Sequence, residues 1–569
     1  MLKVFLSLSK EFCRPPALMI VLCVIACAKQ SPPPGGPVDD VPPKILEVEP
    51  PSGTVRVSRD TRVRFLFSEK IDHRSLNDAV FVTPNPGGDL RFEWRGAALE
   101  IKFPDSLRLN TTYVVTLGTG IRDLRNNRLD QSISIAFSTG DSISAGELRG
   151  RIYGEKVQGV LVGAFRIGEN QEPDPARHEA DYTTQSGKAG EFEFRYLANG
   201  TYRVLAIEDK YGNRLYDRGE DAVGVASGDF KLRGEKPKVR DINLRLAQED
   251  TLKPSLAAVV ATDNRHLEWR FEEPALPPDQ NWFSHLRVIP SPEGSAGFAV
   301  LASEPYPLNP EVVHSVTAPQ APGTYRAGAE NLFDFSGLPL DSVSREVEFT
   351  ASSQADTVRP RIVRLTPDDS SRSVALDTHV EFTFSELMRM DTSRTILMVR
   401  DSAGVTVRGS GRWKNHFQFE FKPAASWQSR AKHIVEIFPD STFDLSGLAL
   451  FDTLRQRIFW TINADTLSSI SGNVSDTMAT TGQLRMSAKQ IVGGKAIYEI
   501  TVDAQGPYKF DGVLPGVYQL SVYRDANDNG RYDFGKAFPF FPAERFVVSP
   551  DSIKVRARWP NEGNDVRLP

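Results

Sequence analysis

The fold of this chain is decided by a ten-residue stretch that occurs twice, as DTRVRFLFSE at residues 60–69 and as DTHVEFTFSE at residues 377–386. Apolar and polar side chains alternate through both copies, which is typical of a β-strand with one buried face. Similar runs recur along the chain between clusters of Gly, Pro, Asn and Asp, at roughly the 8–12-residue spacing of β-sandwiches. No long stretch carries the period of an amphipathic helix. The sequence therefore predicts an all-β chain of tandem sandwiches.

Whole domains are repeated around this stretch. Trp94 corresponds to Trp413 and residues 123–124 correspond to residues 444–445, so a unit of about 100 residues, which we call type A, is predicted to occur twice. A second unit, type B, carries Gly-Thr-Tyr at residues 200–202 and Gly-Val-Tyr at residues 516–518. The segment between the two A–B pairs contains DFSG at residues 334–337, similar to DLSG at residues 444–447, which favours a diverged third type A unit.

The domain boundaries follow from an Asp-Ser/Thr-apolar triplet that begins at Asp141, Asp250, Asp356 and Asp465. Its spacing suits sandwich domains of immunoglobulin size joined by short linkers. The predicted beaded array is, in order, A1 (42–141), B1 (142–249), A2 (250–355), A3 (356–465) and B2 (466–569). The triplet is also similar to an O-glycosylation acceptor of Bacteroidetes-type bacteria, and a capping or turn role for its Asp explains it equally well.

The N-terminus predicts an exported chain. Lys3 and Lys10 precede an apolar run at residues 17–26, which has the length of a signal peptide and is too short to span a bilayer. The run ends at Cys27 in the sequence Val-Ile-Ala-Cys, which resembles a bacterial lipoprotein box. This resemblance implies a signal peptide at residues 1–26, covalent lipid on Cys27 and a membrane as partner through that lipid. An ordinary secretory signal, with Cys27 incidental, is the alternative.

The residues after the cleavage position extend this prediction. Residues 27–41 are rich in Pro and Gly and predict an extended tether. The three cysteines are Cys13, Cys23 and Cys27, so the mature chain would have no disulfide and would depend on its hydrophobic cores. Asp just after a lipidated Cys resembles an inner-membrane retention signal, and Lys29 instead favours the outer membrane, facing the periplasm or the medium. A net charge of −5 does not favour nucleic acid as a partner.

Both repeat types resemble known domains. Type A resembles the SbsA-type bacterial Ig-like domain, with its Pro-Pro-x-Ile start at residues 42–45 and its x-Phe-x-Phe-Ser-Glu strand at residues 64–69 and 381–386. Type B resembles the carboxypeptidase-regulatory or prealbumin-like sandwich, whose Pro-Gly-x-Tyr corner falls at residues 515–518, with Asn199 replacing the proline in the earlier copy. Their order is similar to outer-membrane lipoproteins of Bacteroidetes-type bacteria. The resemblance implies adhesion, envelope scaffolding or ligand binding without chemistry of its own.

The loop DANDNGRYD at residues 525–533 is the sharpest candidate site. Its oxygen-bearing side chains stand at alternate positions with a glycine at the bend, as in an EF-hand-like calcium loop. The predicted calcium ligands are Asp525, Asn527, Asn529 and Asp533. Asp-Asn-Gly is also a common hairpin turn, and no Glu stands at the twelfth position. The earlier type B copy, residues 209–217, keeps the ends of the loop without its middle, which favours a structural turn.

Exposed aromatic side chains are candidates for binding an envelope protein or a glycan. The segment at residues 538–542 concentrates three of them, Phe538, Phe540 and Phe541, and packing against its own or a preceding domain is the alternative. Trp94 and Trp413 suit sugar stacking if they are exposed, but their recurrence in both type A copies favours packing between the sheets.

No nucleophile elbow, zinc-protease helix, phosphate loop or dinucleotide fingerprint is present, and the eight histidines are scattered, as expected of surface residues. The sequence predicts a non-catalytic cell-envelope lipoprotein that acts as a spacer, scaffold or adhesin. The alternative is a carbohydrate- or protein-binding surface lipoprotein for nutrient capture, which an exposed aromatic patch would favour. A hydrolase with a site assembled from distant strands is a third possibility.

Overall fold

The computed structural model describes residues 39–569 apart from positions 77, 87–88, 169–171, 280, 292–296, 453–454, 477 and 479–480. Cys27, the predicted signal peptide and most of the predicted tether lie outside the described residues. The described residues form 38 strands and four three-residue 3-10 helices, His73–Ser75, Trp282–Ser284, Pro439–Ser441 and Ala464–Thr466. None of the described helices has the length and hydropathy needed to cross a membrane. The predicted all-β fold of tandem sandwiches is confirmed.

Domain A1 is a sandwich of two antiparallel sheets. Its strands are β1 (Ile45–Glu49), β2 (Val63–Phe67), β3 (Val80–Thr83), β4 (Arg91–Arg95), β5 (Ala98–Lys102), β6 (Thr112–Leu117) and β7 (Ile133–Ser138). The sheet β1-β2-β5-β4 packs on the sheet β3-β6-β7. Val63, Phe65 and Phe67 are buried between the sheets while the residues between them are partly exposed, which is the alternation that the stretch at residues 60–69 predicts.

Domain B1 pairs a small sheet with a larger one. Its strands are β8 (Gly146–Tyr153), β9 (Leu161–Arg166), β10 (Tyr182–Gln185), β11 (Glu191–Leu197), β12 (Gly200–Ile207), β13 (Ala222–Val225), β14 (Phe230–Leu232), β15 (Lys238–Arg245) and β16 (Ala247–Gln248). The larger sheet has the order β10-β9-β12-β13-β16, with β14 also paired to β12, and the smaller has the order β11-β8-β15. Phe192 and Phe194 of the small sheet pack against Val162 and Val204 of the large one to form the core.

Domain A2 repeats the strand order of A1. Its strands are β17 (Leu256–Ala261), β18 (His266–Phe271), β19 (Leu286–Ser291), β20 (Val300–Tyr306), β21 (Asn309–Thr317), β22 (Thr324–Ala329) and β23 (Glu346–Thr350). The sheets β17-β18-β21-β20 and β19-β22-β23 correspond strand for strand to those of A1. This shared topology favours the interpretation of A2 as a diverged type A unit.

Domain A3 has one strand more. Its strands are β24 (Ile362–Thr366), β25 (Ser371–Val374), β26 (Val380–Phe384), β27 (Leu397–Asp401), β28 (Gly409–Asn415), β29 (Gln418–Pro423), β30 (Lys432–Ile437) and β31 (Gln456–Thr461). The sheet β24-β26-β29-β28 packs on β25-β31-β30-β27, in which β25 runs parallel to β31. In A1 the equivalent of β25 is a single parallel bridge between Thr54 and Phe137.

Domain B2 ends the chain. Its strands are β32 (Ser468–Asp476), β33 (Gln483–Val492), β34 (Ile497–Val502), β35 (Gly506–Val513), β36 (Gly516–Asp525), β37 (Phe546–Val555) and β38 (Val566–Leu568). The sheets β34-β33-β36-β37 and β35-β32-β38 enclose a core that includes Met486, Phe510 and Tyr518.

The corner before β12 and before β36 is closed by a tyrosine. Both Tyr202 and Tyr518 are fully buried, and each hydroxyl donates to the backbone carbonyl four residues earlier, of Ala198 and Leu514, at 2.9 Å.

Tyr518→Phe is expected to lower the free energy of unfolding of B2 by about 1–3 kcal/mol, because the carbonyl of Leu514 loses its partner. Chemical denaturation measures this, and Tyr211→Phe, at an exposed position of B1, is the control.

The described domains also contact one another beyond the linkers. Between A2 and A3, Phe417 of A3 is fully buried against Val316 and Tyr306 of A2. Between A1 and B1, the side chain of Gln185 accepts the N–H of Gly120 at 2.8 Å. These contacts restrict how neighbouring domains rotate relative to one another.

The last domain returns to the second. Ala537 and Ala543 of B2 are buried with Leu205, Ile207 and Val225 on the outer face of the large sheet of B1. B2 also reaches A2, where Arg531 lies 4.7 Å from the ring centre of Phe335. The row of domains therefore folds back, so that B2 contacts both B1 and A2. The sequence did not predict this arrangement.

Candidate functional site

The loop predicted to bind calcium is closed by its own hydrogen bonds. Asp525 accepts the backbone N–H groups of Asn529 at 3.0 Å and Gly530 at 2.8 Å. The side-chain amides of Asn527 and Asn529 donate to Asp533 at 2.8 and 3.2 Å. The structure thus brings the four predicted ligands together at one turn, and calcium binding there stays a prediction.

The corresponding loop of B1 closes in the same way. Asp209 accepts the N–H groups of Gly212 at 2.7 Å and Arg214 at 2.9 Å, and the amide of Asn213 donates to Asp217 at 2.8 Å. Because the two loops differ in their middle residues, these hydrogen bonds belong to the turn itself. This geometry favours a structural role for the end residues in both copies.

The aromatic segment of B2 lies at the contact with B1. The ring of Phe540 covers Arg203, whose guanidinium carbon is 3.5 Å from the ring centre, and the carbonyl of Phe538 accepts a hydrogen bond from Arg218 at 2.7 Å. Phe538 is 37% exposed and Phe541 is 62% exposed. Phe540 therefore joins two domains of the same chain, while Phe541 faces solvent.

The two recurring tryptophans pack at the edges of their cores. Trp94 stacks on His73 with ring centres 4.3 Å apart, and Trp413 packs edge-on against Phe419 at 5.2 Å. Both side chains are partly buried against the hydrophobic core of their domain. These contacts favour packing over sugar stacking.

A third group of residues, which the sequence reasoning missed, forms a carboxylate cluster in each type A domain. Each cluster has an Asp from the linker that enters the domain, a Glu two positions after strand β2, β18 or β26, and an Asp from a late turn. The members are Asp39, Glu69 and Asp123 in A1, Asp250, Glu273 and Asp334 in A2, and Asp356, Glu386 and Asp444 in A3. In A1 and in A2, one oxygen of each carboxylate lies within 4.8 Å of the other two.

The linker Asp has the same conformation in all three clusters. Its Oδ1 accepts the N–H of the residue two positions later, at 3.2 Å for Asp39, 3.1 Å for Asp250 and 3.1 Å for Asp356. This hydrogen bond fixes one oxygen of the carboxylate. In A3 the other oxygen, Oδ2 of Asp356, is buried and accepts no hydrogen bond from the described residues.

The turn Asp is also held by its backbone. Its Oδ1 accepts the N–H four residues later, at 2.8 Å for Asp123, 2.7 Å for Asp334 and 2.7 Å for Asp444. Three positions after each Asp the backbone has a positive φ, which Gly and Asn adopt most readily: 73° at Asn126, 82° at Gly337 and 97° at Gly447. The DFSG and DLSG motifs therefore build this turn.

The Glu of each cluster lies in an environment that disfavours its ionised form. Burial raises the pKa of Glu69, Glu273 and Glu386, and the charges of the neighbouring Asp side chains raise it further. For Glu386 the pKa rises to about 8. Carboxylates packed this closely are not all ionised unless a positive charge joins them.

The A3 cluster extends into A2. Nδ1 of His266 lies 2.8 Å from Oδ2 of Asp263 and 3.8 Å from Oδ2 of Asp356, and its Nε2 lies 3.3 Å from Oγ of Ser446. Burial lowers the pKa of His266, but the hydrogen bond and charge of Asp263 outweigh burial and raise it overall. This cluster therefore spans the junction between A2 and A3.

The sequences of two of these domains match a known family. Residues 39–139 and 356–461 match the bacterial Ig-like domain family. Domains A1 and A3 are bacterial Ig-like domains. Both matched ranges begin at the linker Asp, so in both Ig-like domains all three cluster residues fall inside the family match.

The chain is also similar to several solved structures, each of which covers only part of it. The S-layer protein SbsC is 10% identical, with 91% of this chain and 67% of that chain covered and a TM-score of 0.15. SGBP-B of a Bacteroides ovatus mixed-linkage glucan utilization locus, solved with a heptasaccharide, is 11% identical, with 65% and 88% covered and a TM-score of 0.17. An L,D-transpeptidase from Mycobacterium tuberculosis is 12% identical, with 37% and 88% covered and a TM-score of 0.16. No functional assignment follows from scores this low. A comparison with curated proteins gives no match.

The clusters of the Ig-like domains had a signal in the sequence. Asp-x-Val/Leu-x-Pro occurs at residues 39–43, 250–254 and 356–360, and in each domain it precedes a strand that ends in Phe-x-Glu. The Asp of the triplets at residues 250 and 356 was interpreted as a boundary marker, a glycan acceptor or a turn residue, and not as a ligand. Aligning all three type A units, including the diverged A2, would have shown that three acidic residues recur together.

Proposed function

We propose that this protein is a non-catalytic lipoprotein of the cell envelope, anchored in the outer membrane by lipid on Cys27, and that it works as a scaffold or spacer. The observation that carries the proposal is the packing of the domains on one another. A scaffold needs restricted domain positions, and apolar contacts between domains help to supply them. The apolar cluster between B1 and B2 and the burial of Phe417 between A2 and A3 are apolar contacts between domains.

The anchor is tested in cells that express the full chain. Labelled palmitate is expected to enter the wild type and not the Cys27→Ala variant, with Cys23→Ala as the matched control that keeps the label. Protease treatment of whole cells then reports exposure, because a surface-facing chain is degraded and a periplasmic one is protected. Label retained in Cys27→Ala, or a wild type found in the soluble fraction without label, would overturn the lipoprotein proposal.

A second function, ligand binding, is favoured by one cavity. B1 and B2 enclose an open cleft of about 690 Å³, within the size range of small-ligand sites. Exposed arginines at its rim, Arg151, Arg240 and Arg567, suit a ligand with carboxylate or sulfate groups, such as an acidic glycan. A glycan array tests this: acidic glycans are expected to bind the wild type and not Arg240→Ala/Arg567→Ala. Equal binding of both, or none by either, would reject the cleft as a glycan site.

A further inference from the structure

We propose that each of the three type A domains binds one calcium ion through its carboxylate cluster, at the end of the sandwich where the preceding linker enters. The ligands are Asp39, Glu69 and Asp123 in A1, Asp250, Glu273 and Asp334 in A2, and Asp356, Glu386 and Asp444 in A3. This inference goes beyond the proposed function, because it holds whether or not Cys27 is lipidated.

Buried oxygens without partners point to a cation. Asp444 is 0% exposed and Asp334 is 7% exposed, and in both the Oδ1 is bonded to the turn while the Oδ2 accepts no hydrogen bond from the described residues. Buried carboxylate oxygens are almost always paired, because removing them from water is costly. Glu273 and Glu386 each have one further buried oxygen in the same condition. In A2 one oxygen of each cluster carboxylate lies within 4.8 Å of the other two. In A3 the charges of Asp356 and Asp444 act on Glu386. A cation placed in either cluster would satisfy these oxygens together.

Charge points the same way. In A1 and A2 the charges acting on Glu69 and Glu273 come from neighbouring carboxylates, which repel. An arrangement that brings like charges together in three separate domains is destabilising by itself. Its recurrence at equivalent positions of A1, A2 and A3 is explained if each cluster is completed by a positive ion.

The donor atoms select the ion. The clusters of A1 and A2 contain oxygen ligands alone, which suit a hard cation, and Ca²⁺ accepts the irregular geometry of three carboxylates with backbone carbonyls and water. In A3, His266 lies nearby, but its Nδ1 is directed to Asp263, 2.8 Å away. The three clusters therefore offer the same kind of oxygen ligand to the ion.

The position of the clusters gives the ion a structural role. The linker Asp belongs to the segment that joins each domain to what precedes it, while the Glu and the turn Asp belong to the sandwich. An ion bound by all three ties the linker to the domain. In A3 it also lies beside Asp263 and His266 of A2, so it would stiffen the junction between A2 and A3.

The test is calcium binding by the full chain after chelation. Equilibrium dialysis at about 1 mM calcium suits sites with the affinity of extracellular modules. Glu69→Gln, Glu273→Gln and Glu386→Gln are each expected to remove one bound ion, and the triple variant three. Asp533→Ala separates any ion held by the B2 loop, and Asp440→Asn, at an exposed position of A3, is the matched control that removes none.

Stability separates a metal site from a structural contact. Gln keeps the shape of the partly buried Glu without its charge, so the triple variant is expected to fold, to melt higher than the wild type without calcium, and to show no rise in melting temperature when calcium is added. The wild type is expected to show that rise. Unchanged calcium binding in the triple variant, no calcium-dependent rise in the wild type, or a rise with zinc and not with calcium would each overturn the proposal.

Discussion

Replacing Asp476 by Asn is expected to lower the free energy of unfolding of domain B2 by about 3–5 kcal/mol, because it removes a buried carboxylate that pairs with the guanidinium groups of Arg524 and Arg545. The side chain of Asp476 is 4% exposed and accepts hydrogen bonds from Arg524 at 2.6 Å and from Arg545 at 2.7 Å. These three residues connect β32 with β36 and the start of β37, so the loss affects both sheets of the sandwich.

The measurement is urea unfolding of the full chain, with hydrogen exchange of β32 and β36 as the probe for B2. Asp511→Asn is the matched control, because Asp511 lies in the same domain but forms an exposed ion pair with Lys509. Its change is expected to stay within about 0.5 kcal/mol. Equal effects of the two substitutions would contradict the assigned role of Asp476.

Low pH is expected to reproduce part of this loss of stability in B2. Burial raises the pKa of Asp476, but hydrogen bonds from Arg545, from the N–H of Met478 and from Arg524 outweigh it, so the pKa falls below its ordinary value of 3.8. A carboxyl with a lowered pKa stabilises the folded state above its unfolded pKa, and this contribution is lost as the pH falls through the folded value. The stability of B2 should therefore decrease below about pH 3.8 in the wild type and change less in Asp476→Asn.

Ala543→Arg is expected to detach B2 from B1 and to open the chain. Ala543 is buried at the contact with B1, and its N–H donates to the carbonyl of Ala226 at 3.2 Å. A charged side chain at this position would be placed against Val223 and Val225 without a partner, which is unfavourable enough to separate the surfaces. Small-angle scattering should then show a larger radius of gyration and maximum dimension.

A second, milder variant tests the same contact, because Ala543→Arg could also unfold B2 locally. Phe540→Ala removes the ring over Arg203, a contact worth about 1–2 kcal/mol when desolvated, and is expected to increase the protease sensitivity of the B1–B2 contact without unfolding either domain. Phe541→Ala is the control, because its ring faces solvent. If scattering from Ala543→Arg matched that of the wild type while B2 stayed folded, the contact would not hold the domains together.

The histidines show where reasoning from residue type alone fails. The sequence analysis treated them as surface residues, and this is wrong for His433. Its ring is buried between Trp427 and Phe459, and neither ring nitrogen has a hydrogen-bond partner among the described residues. Burial lowers its pKa and keeps the imidazole neutral. His433 lies on the same buried face of β30 as Val435 and Ile437, but a single histidine in a strand gives no signal that distinguishes the two faces of the strand.

The all-β class of tandem domains and the inward-facing residues of strands such as β2 and β26 could be predicted from the sequence, because the two-residue period of a strand and local turn chemistry depend on consecutive residues. Which acidic residues come together and which domains contact one another depends on the tertiary structure. Glu386 and Asp444 are 58 positions apart, and Phe540 meets Arg203 across more than 300. Such contacts depend on the register of the sheets and the angles between domains. Small rotations at each linker determine those angles, and local sequence patterns do not record them.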